Sequence, residues 1–262
     1  MIIDTHCHLN DKQYFEDIDE VLARSKAHDI IATIIPGADP RELPRAIELC
    51  EKHDNLFFSV GVHPYDIEHY DEAQIRKYVS HEKCVAIGEC GLDYFRLPED
   101  EDEKKREKIA QKKVFVAQIK LAIEFNKPLI IHVRESSQDS KQILIEEQAK
   151  KVGGVLHCFN ASDILLELAE HNFYFGIGGV LTFKNAKKLV EILPKIPLDR
   201  LLIETDGPYL TPHPHRGTRN EPYYTTLVSA KMSEILDISQ NKLESILISN
   251  TNSLFKDKFK HN

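Results

Sequence analysis

Tryptophan is missing from this sequence of 262 residues and methionine occurs only twice, a bias of composition that excludes nothing. Other absences exclude more. No apolar run approaches the roughly 20 residues that cross a bilayer, and the N-terminus lacks the basic segment and apolar stretch of a secretory leader. Neither a membrane protein nor a secreted one is expected, and the cytoplasm is the expected location. Five cysteines (Cys7, Cys50, Cys84, Cys90 and Cys158) are odd in number and never paired as CxxC, which suits reduced thiols better than a disulfide framework. Positive charge is also short. The formal net charge of −8 argues against a protein that coats duplex DNA electrostatically. It leaves room for an enzyme that grips a nucleic-acid end at a local site made positive by divalent cations.

What is present is a regular alternation. The runs MIIDTH, DIIATIIPG, NLFFSVGVHP, KCVAIGECG, PLIIHVRE, GGVLHCF, FYFGIGG and RLLIETDGP are each about strand length. Several are apolar at consecutive positions, as strands covered on both faces should be. Amphipathic segments separate them. In REKIAQKKVFVAQIKLAIEFN, Phe115, Ile119 and Ala122 fall at helical spacing beside Val116 and Ile123, with lysines elsewhere on the surface. Pro40, Pro128 and Pro208 sit at element edges, where proline is tolerated. The charge run at 98–108 reads as a solvated loop and helix start. No GxGxxG turn opens a helix, and the glycine cluster at 176–179 reads as a strand end. Repeats and low-complexity linkers are missing. Eight strands alternating with helices predict a single-domain (β/α)8 TIM barrel over 1–262.

The metal-capable residues fall in one place on this pattern. If Ile2–His8 is a strand, alternation puts Asp4, His6 and His8 on one face. His63 follows the third run, Glu89 ends the fourth, His132 the fifth and His157 the sixth, and Glu204 and Asp206 end the eighth. All lie at C-terminal strand ends, the rim where barrel enzymes assemble their sites. Taken singly, each has an ordinary structural role. A histidine after an apolar strand is commonly hydrogen-bonded in a core, Glu89 could pair with an arginine, and Glu204 and Asp206 could cap a turn. Those roles would have to hold independently at the same end of five strands. His28, His53, His69, His81, His171 and His261 fall in helices, loops or tails and are read as surface residues.

Imidazoles with carboxylates and no thiolate cluster suit Zn²⁺ or Mn²⁺ better than a purely Mg²⁺ site. Cys7 and Cys158 neighbour the histidines but alternate away from them. Six ligands exceed one tetrahedral set, so two divalent ions are expected, with a carboxylate such as Glu89 able to give one oxygen to each. Such a pair acidifies a shared water and stabilises the entering and leaving oxygens.

The ordered set DTHCHL, GVHPY, GECGLDY, PLIIHVRE, LHCF, ETDGPYL and HRGTRNEP resembles the TatD family of metal-dependent hydrolases, in the amidohydrolase-like superfamily, over nearly the whole chain. The resemblance implies that His6 and His8 bind a first ion with Glu89 and Asp206. It implies that His132 and His157 bind a second, with Glu89 shared. Gly207, where many relatives have alanine, is a departure expected to leave the ligands undisturbed. Family members are similar to 3′→5′ exonucleases acting on DNA or RNA ends, and some relatives remove D-amino acids from tRNA. Many two-metal barrels in the superfamily bridge their ions with a carbamylated lysine. Here Glu89 occupies that place, and no lysine lies at the corresponding rim position.

The expected activity is therefore phosphodiester hydrolysis at a nucleic-acid end. Asp206 would orient or deprotonate the attacking water, and Glu204, deeper in the barrel, would hold a ligand in place. His63, Arg134, Arg216 and Arg219 are candidate phosphate contacts, since arginine matches phosphate bidentately. The alternative is a metal-dependent ester or amide hydrolase, including a D-aminoacyl-tRNA deacylase. A non-catalytic metal-binding protein would not need the full carboxylate set.

Overall fold

A computed structural model describes residues 1–259; His261 lies outside them. Eight parallel strands run in sequence order around one sheet: β1 (Ile2–Asp4), β2 (Ile30–Ile35), β3 (Leu56–Val60), β4 (Cys84–Asp93), β5 (Leu129–Arg134), β6 (Gly154–Leu156), β7 (Phe173–Ile177) and β8 (Leu201–Ile203). Parallel neighbours need crossovers, and helices supply them, so the chain is a (β/α)8 TIM barrel. The crossover from β6 to β7 departs from this pattern, being a 3-10 segment over Asp163–His171.

Alternation along the strands sorts the side chains into two apolar layers. Ile3, Ile34, Phe57, Val85, Ile130, Val155, Tyr174 and Leu202, one from each strand, form an inner cluster. Leu254, Phe255 and Phe259, from the end of the last helix and just beyond it, join that cluster and close the lower end of the barrel. The residues between them, such as Phe58, Ile131, Phe175 and Ile203, face outward under the helices. The longest helix, Glu101–Glu124, begins inside the acidic run. The Asp100 side chain caps the amides of Asp102 and Glu103, and three acids in the first turn suit the positive end of the helix dipole. Phe115, Ile119 and Ala122 are its buried face.

The barrel closes between its first and last strands. Thr5 N donates to Ile203 O at 3.1 Å, Asp206 N to His6 O at 2.8 Å and His8 N to Gly207 O at 2.7 Å. β1 is shorter than the sequence predicts. It stops at Asp4 because the Asp4 carboxylate turns to β8 and accepts from Thr205 N and Thr205 Oγ1 at 3.0 and 2.6 Å. Asp4 therefore does not share a face with His6 and His8; it clasps the seam beneath them. Among the described residues no helix is long and apolar enough to cross a membrane.

Candidate metal centre

Interior parity brings most of the site residues to the upper mouth. His132 follows the inward Ile130 by two positions, His157 follows Val155, and Glu204 follows Leu202. Glu89 needs a different device. The register between β4 and β5 shifts between Ile87 and Cys90, and that irregularity aims Glu89 into the barrel. Gly88 makes the shift sterically possible: its φ is +143°, and a Cβ there would sit 2.3 Å from Ile130 O. Asp206 takes a left-handed conformation (φ 57°) just past β8, which aspartate tolerates better than most residues.

The donor atoms then stand in two groups. In the first, His6 Nε2 and His8 Nε2 are 3.3 Å apart. Glu89 Oε2 lies 3.3 and 3.7 Å from them, and Asp206 Oδ1 lies 3.7 and 3.5 Å from them. Donors bound tetrahedrally at the lengths usual for zinc are about 3.3–3.6 Å from one another, close to the 3.3–3.7 Å seen for His6 and His8 with each other and with the two carboxylates. In the second group His132 Nδ1 is 3.1 Å from Glu89 Oε1 and 3.2 Å from His157 Nε2, and His157 Nε2 is 2.8 Å from Glu89 Oε1. Glu89 thus turns one oxygen to each group.

The same proximity sets the protonation of these groups. Burial raises the affinity of Glu89 for a proton, but the charges of His157 and His6 and hydrogen bonds from His132 and His157 outweigh it and hold the carboxyl well below its ordinary range. Asp206 is likewise held low against burial, by the His8 hydrogen bond and the His6 and His157 charges. Burial pushes His6 down and His63 down to about 3. It acts the same way on His8, His132 and His157, but hydrogen bonds to Asp206, Asp93, Glu89 and Glu204 and the charge of Glu89 outweigh it and push these three up. Anionic carboxylates and neutral imidazoles are the metal-binding forms, so a cation would bind in competition with protons at His8, His132 and His157. His6 Nδ1, His157 Nδ1 and Glu204 Oε2 are buried without a hydrogen-bond partner, an expense that an apolar barrel would not carry.

Around these groups lies a second layer of contacts. Glu204, fully buried, accepts from Cys158 N and lies 3.7 Å from His157 Nδ1, so it touches the site through His157. Asp93 was not anticipated by the sequence reading. Its Oδ2 is 2.8 Å from His132 Nε2, which fixes that nitrogen as the protonated one and leaves Nδ1 free to face Glu89. The signal was available, since Asp93 lies four residues beyond Glu89 on the same strand, in GECGLDY. His63 Nε2 approaches Glu89 Oε1 at 3.6 Å.

The mouth opens into a cavity of about 920 Å³ that Arg134 lines, together with Arg96, which the sequence reading did not select. Arg216 and Arg219 are not brought to it. Arg219 is held by Asp17 and Glu221 at 2.6 and 2.7 Å, and Arg216 donates to Thr211 O with its guanidinium over Phe183. Both are engaged within the fold, which is the physical reason they differ from the expectation. His28 is exposed, as expected, whereas His53, His69, His81 and His171 are partly buried, and none of the five lines the cavity.

The family model described as "TatD related DNase" matches residues 3–256. The chain belongs to the TatD family. Among curated relatives, it is 44% identical to the uncharacterized metal-dependent hydrolase YabD of Bacillus subtilis, over 98% of this chain and 99% of that protein. It is 34% identical to the 3′-5′ ssDNA/RNA exonuclease TatD of Enterobacter lignolyticus, over 88% of this chain and 90% of that one. The crystal structure of YJJV, a TatD homologue from Escherichia coli, superposes with a TM-score of 0.86 at 28% identity, covering 97% of this chain and 98% of that one. This TatD protein is a metal-dependent hydrolase, and its histidine and carboxylate clusters are groups that could hold metal. Gly207 has a local reason in it: a Cβ would lie 2.7 Å from Tyr14 Oη and 2.8 Å from Cys7 Sγ, both fully buried.

Proposed function

We propose that this TatD protein is a two-metal phosphodiesterase that releases nucleotides from the 3′ end of single-stranded nucleic acid. The observation that carries the proposal is Glu89, whose two oxygens face two separate donor groups. His6, His8, Asp206 and Glu89 would hold one divalent ion, and His132, His157 and Glu89 the other, with Zn²⁺, Mn²⁺ or Mg²⁺ as the candidates. When bound, the ions supply an acidified water and charge stabilisation for the oxygens entering and leaving phosphorus.

The protein's own groups do the rest. Asp206 is held ionised and lines the cavity, so its carboxylate would orient the attacking water and accept its proton. Glu204 places a carboxylate 3.7 Å from His157 Nδ1, and Asp93 fixes the His132 tautomer. Arg134 and Arg96, beside the cavity, neutralise strand phosphates, and His63 closes the wall behind Glu89. The exonuclease named among the relatives makes single-stranded DNA or RNA the first substrate class to try.

The test is an assay on metal-reconstituted protein with four substrates side by side: 3′-labelled single strands, 5′-labelled single strands, duplex, and D-aminoacyl-tRNA. The expected result is mononucleotides from the 3′ end of single strands, with blunt duplex slower because the mouth admits a frayed end more readily than a helix. Hydrolysis of D-aminoacyl-tRNA with neither oligonucleotide touched would replace the proposal with the deacylase alternative.

A further inference from the structure

Flat rings and guanidinium groups gather on one side of the mouth, after β3, β4 and β5. The Arg134 guanidinium lies directly over Phe95, 3.7 Å from the ring centre, and that of Arg96 lies 4.9 Å from the centre of the Tyr65 ring. Tyr65 meets His63 edge-on at 5.0 Å, and His63 Nε2 is 3.6 Å from Glu89 Oε1. The array therefore leads from the rim to the carboxylate shared by the two donor groups. Its rings are not packed away: Phe95 is 52% and Tyr65 36% exposed.

The charges are as open as the rings. Among the described residues neither Arg96 nor Arg134 has a carboxylate within ion-pair distance, whereas Arg24, Arg41, Arg76 and Arg219 all do. Phe15 and Arg45 form a similar pair elsewhere, but there Glu48 neutralises the arginine. Exposed aromatic residues scattered singly mean little. Two of them beside uncompensated guanidinium groups, at the lip of a metal-capable cavity in a chain of net charge −8, are a different case.

We propose that Tyr65, Phe95, Arg96 and Arg134 form a subsite for the unpaired bases of a nucleic-acid strand, the rings and guanidinium planes stacking on bases while the guanidinium charge meets the neighbouring phosphates. The proposal rests on the phosphodiesterase reading for its substrate class. Stacking requires a base that has left its duplex, so the subsite selects single strands and tolerates any base, since every base has a π face.

The test measures binding of two fluorescein-labelled ten-nucleotide strands by anisotropy on the metal-reconstituted protein. Both carry the same phosphorothioate linkages, one with thymine at every position and one built of abasic tetrahydrofuran residues, in which hydrogen stands at C1′ where each base would be. Equal phosphate counts isolate the base contribution. The wild type should bind the thymine strand roughly tenfold or more tightly than the abasic one. Phe95→Ala should lose most of that preference and Phe95→Trp should keep it, with Phe15→Ala as a matched control that changes nothing. Arg134→Gln should reduce the log–log salt slope by up to about 0.7, the contribution of one phosphate on a single strand. Equal binding of the two strands by the wild type, or full preference in a folded Phe95→Ala protein, overturns the subsite. Cleavage of bis(4-nitrophenyl) phosphate by the wild type separates the two readings. Diester cleavage without base preference sinks the subsite alone, whereas base preference without diester cleavage keeps the subsite and sinks the phosphodiesterase.

Discussion

The two ends of this barrel are built from the same eight strands and do opposite things. At the lower end, Ile3, Phe57, Val85, Val155, Tyr174 and Leu202 meet Leu254, Phe255 and Phe259 in an apolar layer that holds neither carboxylate nor imidazole. At the upper end, two to four residues further along each strand, the inward positions are His132, His157 and Glu204, beside His6 and Glu89. Burial of apolar area at the base favours folding by roughly 25 cal/mol per Å² removed from water. Burial of carboxylates and imidazoles at the mouth opposes it unless they are paired or bind cations. Stability and chemistry are therefore assigned to different heights of one barrel.

Four changes would break or sharpen this contrast, and they descend in expected size. Glu89→Ala strikes the one group common to both donor sets. It should abolish measurable hydrolysis and lower metal content at both sites by elemental analysis, whereas His132→Ala should chiefly empty one. A full metal complement in Glu89→Ala would remove the bridging role. Asp206→Asn keeps shape but removes a charge, and it should lower kcat by on the order of 10²–10⁴-fold with a smaller change in KM, more if metal is lost. Near-normal turnover with both ions present would rule out Asp206 as the base.

Phe255→Ala tests the other end. Truncating this buried ring should cost about 3–5 kcal/mol in urea unfolding, while kcat measured well below the new midpoint stays within about twofold of wild type. A large loss of kcat in the folded protein would mean that the two ends are mechanically coupled. Gly207→Ala is the smallest perturbation. Overpacking against Tyr14 Oη and Cys7 Sγ should cost about 1–3 kcal/mol. Tyr14→Phe removes the closer of those atoms, so the double variant should be more stable than the two single losses added together, as a thermal-unfolding cycle would read.

The lower and upper ends also differed in how openly the sequence displayed them. Strand positions were legible because a strand covered on both faces must be apolar at consecutive residues, as in Leu129–Ile131 and Leu201–Ile203. The metal-capable residues were legible because each stands a short, countable distance beyond such a run. What failed to show were contacts that only the closed barrel creates. Asp4 looked like a partner of His6 and His8 until Thr205, 201 residues away, ended the strand. Arg219 looked available for phosphate because nothing local to HRGTRNEP announces Asp17, 202 residues earlier. Arg96 was passed over since its open charge is visible only once the arginines that do find carboxylates have been identified.

The seam between β1 and β8 has a further consequence, for the chain as it is synthesised. Among the donors, His6 and His8 emerge first and Asp206 last, and the strand that delivers Asp206 is the strand that shuts the barrel. A chain halted anywhere before Leu201 carries both imidazoles but neither the aspartate nor the Thr205 anchor that turns Asp4 away. The first donor group is then incomplete, and such a fragment should retain no more divalent metal there than a free His-x-His peptide does. Hydrolytic competence thus arrives with the final strand, so an unfinished or truncated copy lacks it.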